Sequence, residues 1–194
     1  DVSNPLMYVM NSLKDKKIDN KNELMDSLEE VTNQLNEVRS HLRIETEQKD
    51  FNAFEIVKTT IKILDWKFKK HNIKLKLELD TSINLTHGSS QFKDIVLNLL
   101  DNAIDAVKET DNAQIGIKLE KKDKYGILSI MDNGFGIKTK DAKKIFNIFY
   151  STKEQGNGIG LFIANKYAKE EFAGSLSFKS KKNSTTFTFK FLLA

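Results

Sequence analysis

The apolar positions of residues 1–50 recur at helical spacing. From residue 24 they follow one another at steps of four, three, four, three and four, at Leu24, Leu28, Val31, Leu35, Val38 and Leu42. A heptad seam of this kind is typical of a helix that packs against a partner helix. A shorter stripe at Leu6, Val9 and Leu13 comes before it, and the polar stretch 16–22 separates the two. The pattern predicts a helical hairpin over residues 1–50.

A hairpin of two helices has too small a core to be stable alone. We therefore expect two chains to combine their hairpins into a four-helix bundle, which makes the protein a homodimer. The alternative is a hairpin that packs on the rest of its own chain.

From about residue 51 the pattern becomes a mixture of helical and alternating segments. Helices are predicted over 53–70, 90–108 and 158–171, where apolar residues recur at helical spacing. Strands are predicted over 73–79, 114–120, 126–131, 175–179 and 185–192. The expected fold class is α+β, with the hairpin domain (1–50) followed by a two-layer α/β sandwich (51–194) whose helices cover one face of a sheet.

Composition narrows the protein class. With 39% hydrophobic and 30% charged residues, the sequence is that of a soluble globular protein. The absence of cysteine excludes a disulfide framework and a thiolate metal site, and no apolar run reaches the ~20 residues that cross a bilayer. The net charge of +4 comes from scattered lysines without a nucleic-acid-reading motif. We expect a cytoplasmic segment with no nucleic-acid partner and no membrane contact, whether or not the full-length protein is membrane-anchored.

The first segment with candidate chemistry lies in the predicted helix 90–108. Asn98 and Asn102 are four residues apart, so both amides project from the same helix face. Asparagine is unfavourable inside a helix, and two amides stacked among leucines need partners. A magnesium ion is one such partner, because it accepts a neutral oxygen ligand and keeps most of its waters. The alternative is a pair of helix-surface amides.

The second segment follows the predicted strand 126–131. Asp132 comes at the strand end, and Gly134 and Gly136 come just after it. A carboxylate there can accept a hydrogen bond from an exocyclic amine, and the glycines allow close backbone approach. The alternative is an ordinary turn.

The third segment, residues 145–153, begins apolar and ends in Ser-Thr-Lys. This composition favours a loop anchored by aromatic side chains, with Lys153 free to reach a phosphate. The alternative is a buried helix end that carries a surface lysine.

The fourth segment opens the predicted helix 158–171. Gly156, Gly158 and Gly160, spaced by two, present backbone N–H groups to an anion at a helix N-terminus, where the helix dipole adds attraction. The spacing matches neither the Rossmann fingerprint nor a P-loop.

In this order and spacing, the four segments resemble the N box, first glycine box, F box and second glycine box of the histidine-kinase ATP-binding domain, within the Bergerat-fold ATPase superfamily. The resemblance covers roughly residues 51–194, and Ser184 to Phe187 also fit the family's closing strand. The stretch between Phe149 and Gly156 is short and similar to the lid of the nitrogen-regulation subgroup. Asn157 stands where many relatives have threonine, which leaves the backbone role intact.

The resemblance implies ATP and Mg²⁺ as ligands. Asn102 would be the magnesium ligand with Asn98 as its companion on the phosphate side, and Asp132 would recognise the adenine amine. Glycines would shape the base pocket and hold the triphosphate, and Lys153 would reach the phosphates. The implied nucleotide-binding residues are Asn98, Asn102, Asp132, Gly134, Gly136, Lys153, Gly156, Gly158, Gly160 and Leu161.

The family's phosphotransfer signature is His-Glu/Asp-x-x-Asn-Pro-Leu. The first residues, Asp1 to Leu6, resemble this signature from its second residue onward. The acceptor histidine is therefore expected immediately before Asp1, and the chain alone is not expected to autophosphorylate. Asp1 would orient that histidine and accept its proton, and Asn4 would position water for a phosphatase reaction. None of His41, His71 and His87 is followed by the matching residues, so none is expected to be the acceptor.

The resemblance as a whole implies the core of a two-component sensor histidine kinase. It would transfer the γ-phosphate of ATP to histidine and then to an aspartate on a response regulator receiver domain, with phosphatase activity toward that regulator. Hydrolytic ATPases of the superfamily are an alternative, but they have a glutamate where Asn98 stands. A serine kinase acting on anti-anti-sigma proteins is another, but it lacks the hairpin signature. Intact nucleotide boxes argue against a third alternative, a non-catalytic scaffold.

Overall fold

The computed structural model describes residues 50–153 and 158–193, and the structural statements below concern these residues. They belong to one compact unit of the chain, Gln48–Ala194. Residues 1–49 of the expected hairpin, and with them Asp1, Asn4 and His41, lie outside the described residues, as do Gly156 and Asn157. No described helix is long and apolar enough to cross a membrane.

The described residues form three helices and seven strands. In chain order these are β1 (Phe51–Asn52), α1 (Ala53–Lys70), β2 (Lys74–Leu79), β3 (Asn84–Leu85), α2 (Ser89–Val107), β4 (Gln114–Lys122), β5 (Tyr125–Asp132), α3 (Gly160–Glu170), β6 (Ser175–Lys181) and β7 (Ser184–Leu192). Every helix and strand predicted from residue 51 onward is present, with ends within two residues of the expected ones. The sequence pattern does not predict β1 and β3, which have two residues each.

The longer strands form one mixed sheet in the order β2-β4-β5-β7-β6. β2 runs parallel to β4, whereas the pairs β4–β5, β5–β7 and β6–β7 are antiparallel. β1 and β3 form a separate antiparallel pair. The central strand is therefore β5, and its last residue, Asp132, lies between Ile115 of β4 and Thr185 of β7.

Helices cover one face of this sheet. Along β4, the side chains of Ile115, Ile117 and Leu119 are buried and those between them are half exposed, as expected for a sheet with one covered face. Helix α2 contributes buried apolar side chains at helical spacing, namely Phe92, Ile95, Val96, Leu99, Leu100, Ala103, Ile104 and Val107. The expected two-layer α/β arrangement is confirmed for the described residues.

Helix α1 has the predicted bounds because local signals fix both of its ends. At the start, the Glu55 amide donates to Asn52 Oδ1 at 3.3 Å, which caps the helix. At the end, the His71 amide bonds the Lys67 carbonyl at 3.1 Å, and Asn72 adopts the left-handed conformation with φ of 50°. His71 and His87 both lie in connections next to strands, as expected.

One end of the core is filled by five phenylalanine rings, here called the aromatic cluster: Phe51, Phe92, Phe172, Phe189 and Phe191. The ring of Phe92 lies 5.3–5.8 Å from the other four, measured between centroids. Four of the five side chains are at most 3% exposed, and Phe51 packs at their edge. Complete burial of a phenylalanine contributes about 1.5–3 kcal/mol, so this end of the molecule is a main source of stability.

Candidate functional site

Three polar residues lie on one face of α2. Asn98, Asn102 and Asp105 are spaced by four and three residues, so their side chains project in the same direction, and all three are half buried. We call these three residues the polar face of α2. The predicted Asn98–Asn102 pair is therefore present on a helix as expected, and Asp105 extends it by one turn.

Asn98 is the end of the polar face nearest to α3. Its amide nitrogen donates to the backbone carbonyl of Asp94 at 2.9 Å. Its amide oxygen lies against Gly160, the first residue of α3, so closely that a Cβ at Gly160 would overlap it. The absence of a side chain at position 160 therefore allows α3 to begin directly beside Asn98.

The N-terminus of α3 has the features of an anion site. The N-cap residue Ile159 makes no side-chain capping hydrogen bond, and the first turn contains no acidic residue. The first N–H groups of a helix have no partner within it, and the dipole favours negative charge there. Leu161 packs against the hydrophobic core at this end, and Gly158, with φ of 68°, lies against the backbone of Phe149.

Asp132 is a buried carboxylate at the end of the central strand. The side chain is 6% exposed, and the Gly134 amide donates to its Oδ1 at 3.0 Å. Burial raises the pKa of Asp132 to about 6, and the hydrogen bond from Gly134 opposes this only in part. The neighbouring Thr185 on β7 is also buried, at 3% exposed. A buried carboxylate with one such partner can accept a further hydrogen bond from a ligand amine.

The loop after Asp132 is fixed on both sides. Asn133 accepts from the Gln114 amide at 2.8 Å and donates to the Asn112 carbonyl at 3.0 Å. Gly134 lies against the Ala106 carbonyl of α2 so closely that no Cβ fits there. Gly136, with φ of 80°, lies against Lys181, which holds the far end of the loop on β6. The loop therefore contacts α2 at Ala106, the residue that follows Asp105 of the polar face.

Lys153 connects the third predicted segment to the polar face of α2. Its ammonium donates to Asn102 Oδ1 at 2.7 Å and pairs with Asp105 Oδ2 at 2.7 Å. The other oxygen of Asp105 pairs with Lys108 at 3.4 Å. Partial burial raises the pKa of Asp105, but the hydrogen bond and charge of Lys153, and then Lys108, outweigh it and hold that pKa below its ordinary value.

The rest of the third segment is a loop, as expected. Residues 138–153 contain turns and no helix, Ile145 is buried, and the ring of Phe146 lies 6.0 Å from that of Phe178. The hydroxyl of Ser151 accepts from the Lys153 amide at 3.0 Å, which fixes the backbone from which the lysine extends.

Asn102 Oδ1 accepts from the Lys153 ammonium at 2.7 Å, so this amide oxygen is directed at a positive group. A neutral oxygen ligand suits magnesium, which takes few protein ligands and keeps most of its waters, and a nearby helix N-terminus suits phosphate. The residues present therefore fit a site for a magnesium ion held together with phosphates.

The structure brings most of the predicted site residues together around α2. Asn98 meets Gly160, Asn102 meets Lys153, and the loop of Asp132 meets α2 at Gly134. Two polar residues of this region were given no site role from the sequence, Asp105 and Thr185. Asp105 has a sequence signal, because it continues the spacing of the two asparagines on one helix face. Thr185 has a weaker sequence signal, because it only alternates with buried phenylalanines along β7.

The comparisons with known proteins agree with this geometry. Residues 88–194 match the family described as "Histidine kinase-, DNA gyrase B-, and HSP90-like ATPase". The signal transduction histidine-protein kinase ArlS of Staphylococcus haemolyticus is 34% identical over 75% of this chain and 32% of its own length. Sporulation kinase E of Bacillus subtilis is 29% identical over 68% of this chain and 18% of its own. The chain thus spans at most about a third of these two relatives.

Solved structures with the same fold include the nucleotide-free catalytic domain of the histidine kinase ThkA. It aligns with 75% of this chain and 95% of its own, at 28% identity and a TM-score of 0.69. ThkA in complex with the response regulator protein TrrA aligns at 22% identity and a TM-score of 0.65, which shows likeness of fold. A family match over more than half of the sequence, the helix-covered mixed sheet and the relatives all lead to one assignment. The chain belongs to the histidine kinase-, DNA gyrase B- and HSP90-like ATPase family, and its described residues have the fold of a histidine kinase catalytic domain.

Proposed function

We propose that this chain is the kinase core of a two-component sensor, which binds Mg²⁺ and ATP and transfers the γ-phosphate to a histidine. The observation that carries the proposal is the convergence on α2 of a lysine, two asparagines and a glycine-led helix N-terminus. These groups match the charge and shape of a triphosphate, and the buried Asp132 matches the amine of its base.

On the base side, Asp132 would accept a hydrogen bond from the exocyclic amine of adenine. Its burial excludes competing water, which strengthens such a bond. Gly134 and Gly136 would hold the loop at a fixed height above the base, because both lie in close backbone contacts. A carboxylate accepts from an amine but repels a carbonyl oxygen, so this pocket would favour adenine over guanine.

On the phosphate side, backbone N–H groups from Gly158, Gly160 and Leu161 would hold the phosphate oxygens, with Gly156 completing the glycine series by sequence. Lys153 would place its charge near the γ-phosphate, and Asn98 would contribute beside the helix start. Asn102 would hold magnesium, which when bound supplies charge neutralisation for the developing transition state.

Transfer rather than hydrolysis is favoured by the state of Asn98. Hydrolytic relatives would require a carboxylate base here to activate water, and an amide cannot take a proton. The Asn98 amide nitrogen donates to the backbone of its own helix, which fixes the amide oxygen toward Gly160. With positioned charges and no base on this side, phosphoryl transfer to an incoming nucleophile is the reaction that these residues support.

The acceptor side of the proposal rests on the sequence of residues 1–50. The heptad seam supports a hairpin that dimerises as a four-helix bundle, and the signature around Asp1 and Asn4 supports a histidine acceptor with Asp1 as its base. The phosphate would pass to an aspartate of a response regulator, with Asn4 serving a phosphatase reaction on that regulator. The complex of ThkA with TrrA is a precedent for such a partner in a protein of like fold.

The test is a labelling experiment with the full-length protein that contains this chain, incubated with magnesium and γ-labelled ATP. We expect protein-bound label that acid removes and base does not, as for a phosphoramidate. The Asp132→Asn variant should abolish the label, and the Asp123→Asn variant, the same change in an exposed turn, should retain it. Label stable to acid would instead indicate a kinase acting on a hydroxyl, and ATP consumed without label would indicate a hydrolytic ATPase.

A further inference from the structure

The ammonium of Lys153 lies where the proposed function requires another cation. It is held by Asn102 Oδ1, which would otherwise be available to a metal, and by Asp105 Oδ2, both at 2.7 Å. These distances are those of charge-assisted hydrogen bonds, the stronger class in proteins. The two side chains of the ion pair are 42% and 35% exposed, so the contact is accessible from solvent and can be exchanged.

Asp105 is the carboxylate that holds this lysine. The nearest alternative along the helix, Asp101, is engaged by Lys67 of α1 at 2.6 Å. Asp105 binds Lys153 through one oxygen and Lys108 through the other. Among the described contacts, Asp105 therefore supplies the negative charge that balances a lysine placed on a neutral amide oxygen.

We propose that Asp105 is a positioning residue for the reaction: it keeps Lys153 on the Asn102 oxygen in the nucleotide-free protein, so that the lysine fills the cation position until magnesium and nucleotide replace it. The inference rests on the proposed role of Asn102 as the magnesium ligand. It adds a residue that the sequence motifs do not contain, and it gives Lys153 two positions, one on α2 and one on the phosphates.

Competition between the two cations follows from their charges. An amide oxygen has two lone pairs, so it could meet an ammonium and a metal ion at once only if the two positive charges lay side by side. Asn102 is neutral, and the nearby Asp105 carboxylate is already paired with Lys153 and Lys108, so neither offsets this repulsion. Magnesium can therefore reach Asn102 only when Lys153 leaves, and the strength of the Asp105–Lys153 contact opposes magnesium binding.

The measurement is the affinity of the chain for ADP with magnesium and with a chelator, by titration calorimetry. We call the ratio of the two dissociation constants the magnesium gain, the factor by which magnesium tightens ADP binding. Contacts between Lys153 and phosphate affect both constants, so they largely cancel in this ratio. In the Asp105→Asn variant, Lys153 is held less tightly, so the magnesium gain should rise about three- to tenfold. The Lys153→Met variant should show a similar rise, and the double variant should show no further one.

The matched control is Asp65→Asn, which breaks another aspartate–lysine pair, the exposed pair with Lys69 on α1. It should leave the magnesium gain at the wild-type value. A magnesium gain in Asp105→Asn equal to the wild-type value would overturn the inference. A double variant whose rise is the product of the two single rises would also overturn it, because the two residues would then act independently. A reduced gain would also overturn it, because Asp105 would then attract magnesium rather than delay it.

A further variant separates this inference from the proposed function. Asn102→Ala should remove most of the magnesium gain, because it deletes the proposed ligand. If Asn102→Ala keeps the gain, the magnesium assignment itself is wrong, whatever the other variants do. If Asn102→Ala loses the gain while Asp105→Asn and Lys153→Met behave as wild type, the assignment stands and the role of Asp105 is wrong. In the nucleotide-free protein, the Lys153 side-chain ¹³C resonances should shift in both Asp105→Asn and Asn102→Ala.

Discussion

Helix α2 contributes Phe92 to the aromatic cluster and also carries the polar face, and the two regions differ in how their side chains are held. Phe92 is surrounded by four rings whose centroids lie within 5.8 Å, and solvent does not reach it. Asn102 and Asp105, three and four turns further on, are half exposed and held by the ends of lysine side chains. Water cannot replace the ring contacts of Phe92. The lysine contacts of Asn102 and Asp105, by contrast, can be exchanged for contacts with a ligand.

This difference predicts that stability and binding can be changed separately along one helix. Substitutions in the aromatic cluster should lower the free energy of unfolding, because they remove packing that nothing else supplies. Substitutions on the polar face and at Asp132 should change ligand binding while the fold persists. Substitutions at four positions test that separation.

The largest effect is expected from Phe92→Ala. The ring is completely buried, so its loss leaves a cavity among four other rings and should lower the free energy of unfolding by about 3–5 kcal/mol. Urea denaturation followed by circular dichroism measures this change. Phe135→Ala is the matched control, because Phe135 is 71% exposed, and its effect should stay within about 0.5 kcal/mol. Similar losses in both variants would contradict the predicted separation.

Asp132→Asn should have the opposite effects on binding and on stability. Because its pKa is raised to about 6 from 3.8, the folded chain binds a proton at Asp132 more tightly than the unfolded chain does. The ionised carboxylate therefore lowers the stability of the nucleotide-free protein above pH 6, by roughly 2–3 kcal/mol. The asparagine variant should be more stable by about that amount at pH 7.5, and it should lose nucleotide binding.

The pH dependence supplies the check on this prediction. The stability difference between Asp132→Asn and the wild type should shrink as the pH falls from about 6 to about 4 and vanish below that, since both side chains are then neutral. In the same window, the affinity of the wild type for ATP should fall as Asp132 becomes protonated. A variant that is less stable than the wild type at pH 7.5 would show that the carboxylate has a stabilising partner.

Gly134→Ala should destabilise the protein by an intermediate amount. A Cβ there meets the backbone carbonyl of Ala106, so α2 or the loop must move, at a cost of about 1–3 kcal/mol. Gly160→Ala is the comparison, since its Cβ meets only the Asn98 side chain and alanine is favourable in a helix. Gly160→Ala should therefore stay within about 1 kcal/mol of the wild type, while its affinity for ATP falls because Asn98 must turn away. Thermal unfolding and nucleotide titration measure both variants.

The smallest effect is expected from Lys67→Gln. Lys67 pairs with Asp101 at 2.6 Å and joins α1 to α2, but the two side chains are 31% and 38% exposed. The loss should be about 0.5 kcal/mol and should shrink at high salt. Lys69→Gln breaks a more exposed pair within α1 and should have no measurable effect. A loss above about 2 kcal/mol for Lys67→Gln would mean that this pair organises the polar face.

Much of the fold could be predicted because local signals coincide with the final elements. Asn52 caps α1 where its apolar periodicity begins, and Asn72 ends it in a left-handed turn. β1 and β3 could not be predicted, because Phe51–Asn52 and Asn84–Leu85 are too short to show alternation and exist only by pairing with each other. The order of strands in the sheet likewise depends on contacts between residues distant in sequence.

The candidate site could be predicted in its residue types but not in its internal contacts. Asn98, Asn102 and Asp132 stand out because polar residues in apolar segments need partners. The contact between Lys153 and Asn102 joins residues 51 positions apart, so it cannot be predicted from the local periodicity of the sequence. Asp105 continues the spacing of the two asparagines, but a helix aspartate is ordinarily solvated, and its contact with Lys153 is visible only in the structure.

The bare backbone contacts of Gly134 and Gly160 have a consequence for inhibition. Gly134 rests on Ala106 and Gly160 rests on Asn98, so neither position can gain a side chain without moving a neighbour. Consider a small molecule that contacts only these two surfaces. Mutations that change the shape of either surface should impair folding or nucleotide binding. We expect resistance to such a compound to arise at exposed positions around it, such as Phe135, where substitution leaves the packing intact.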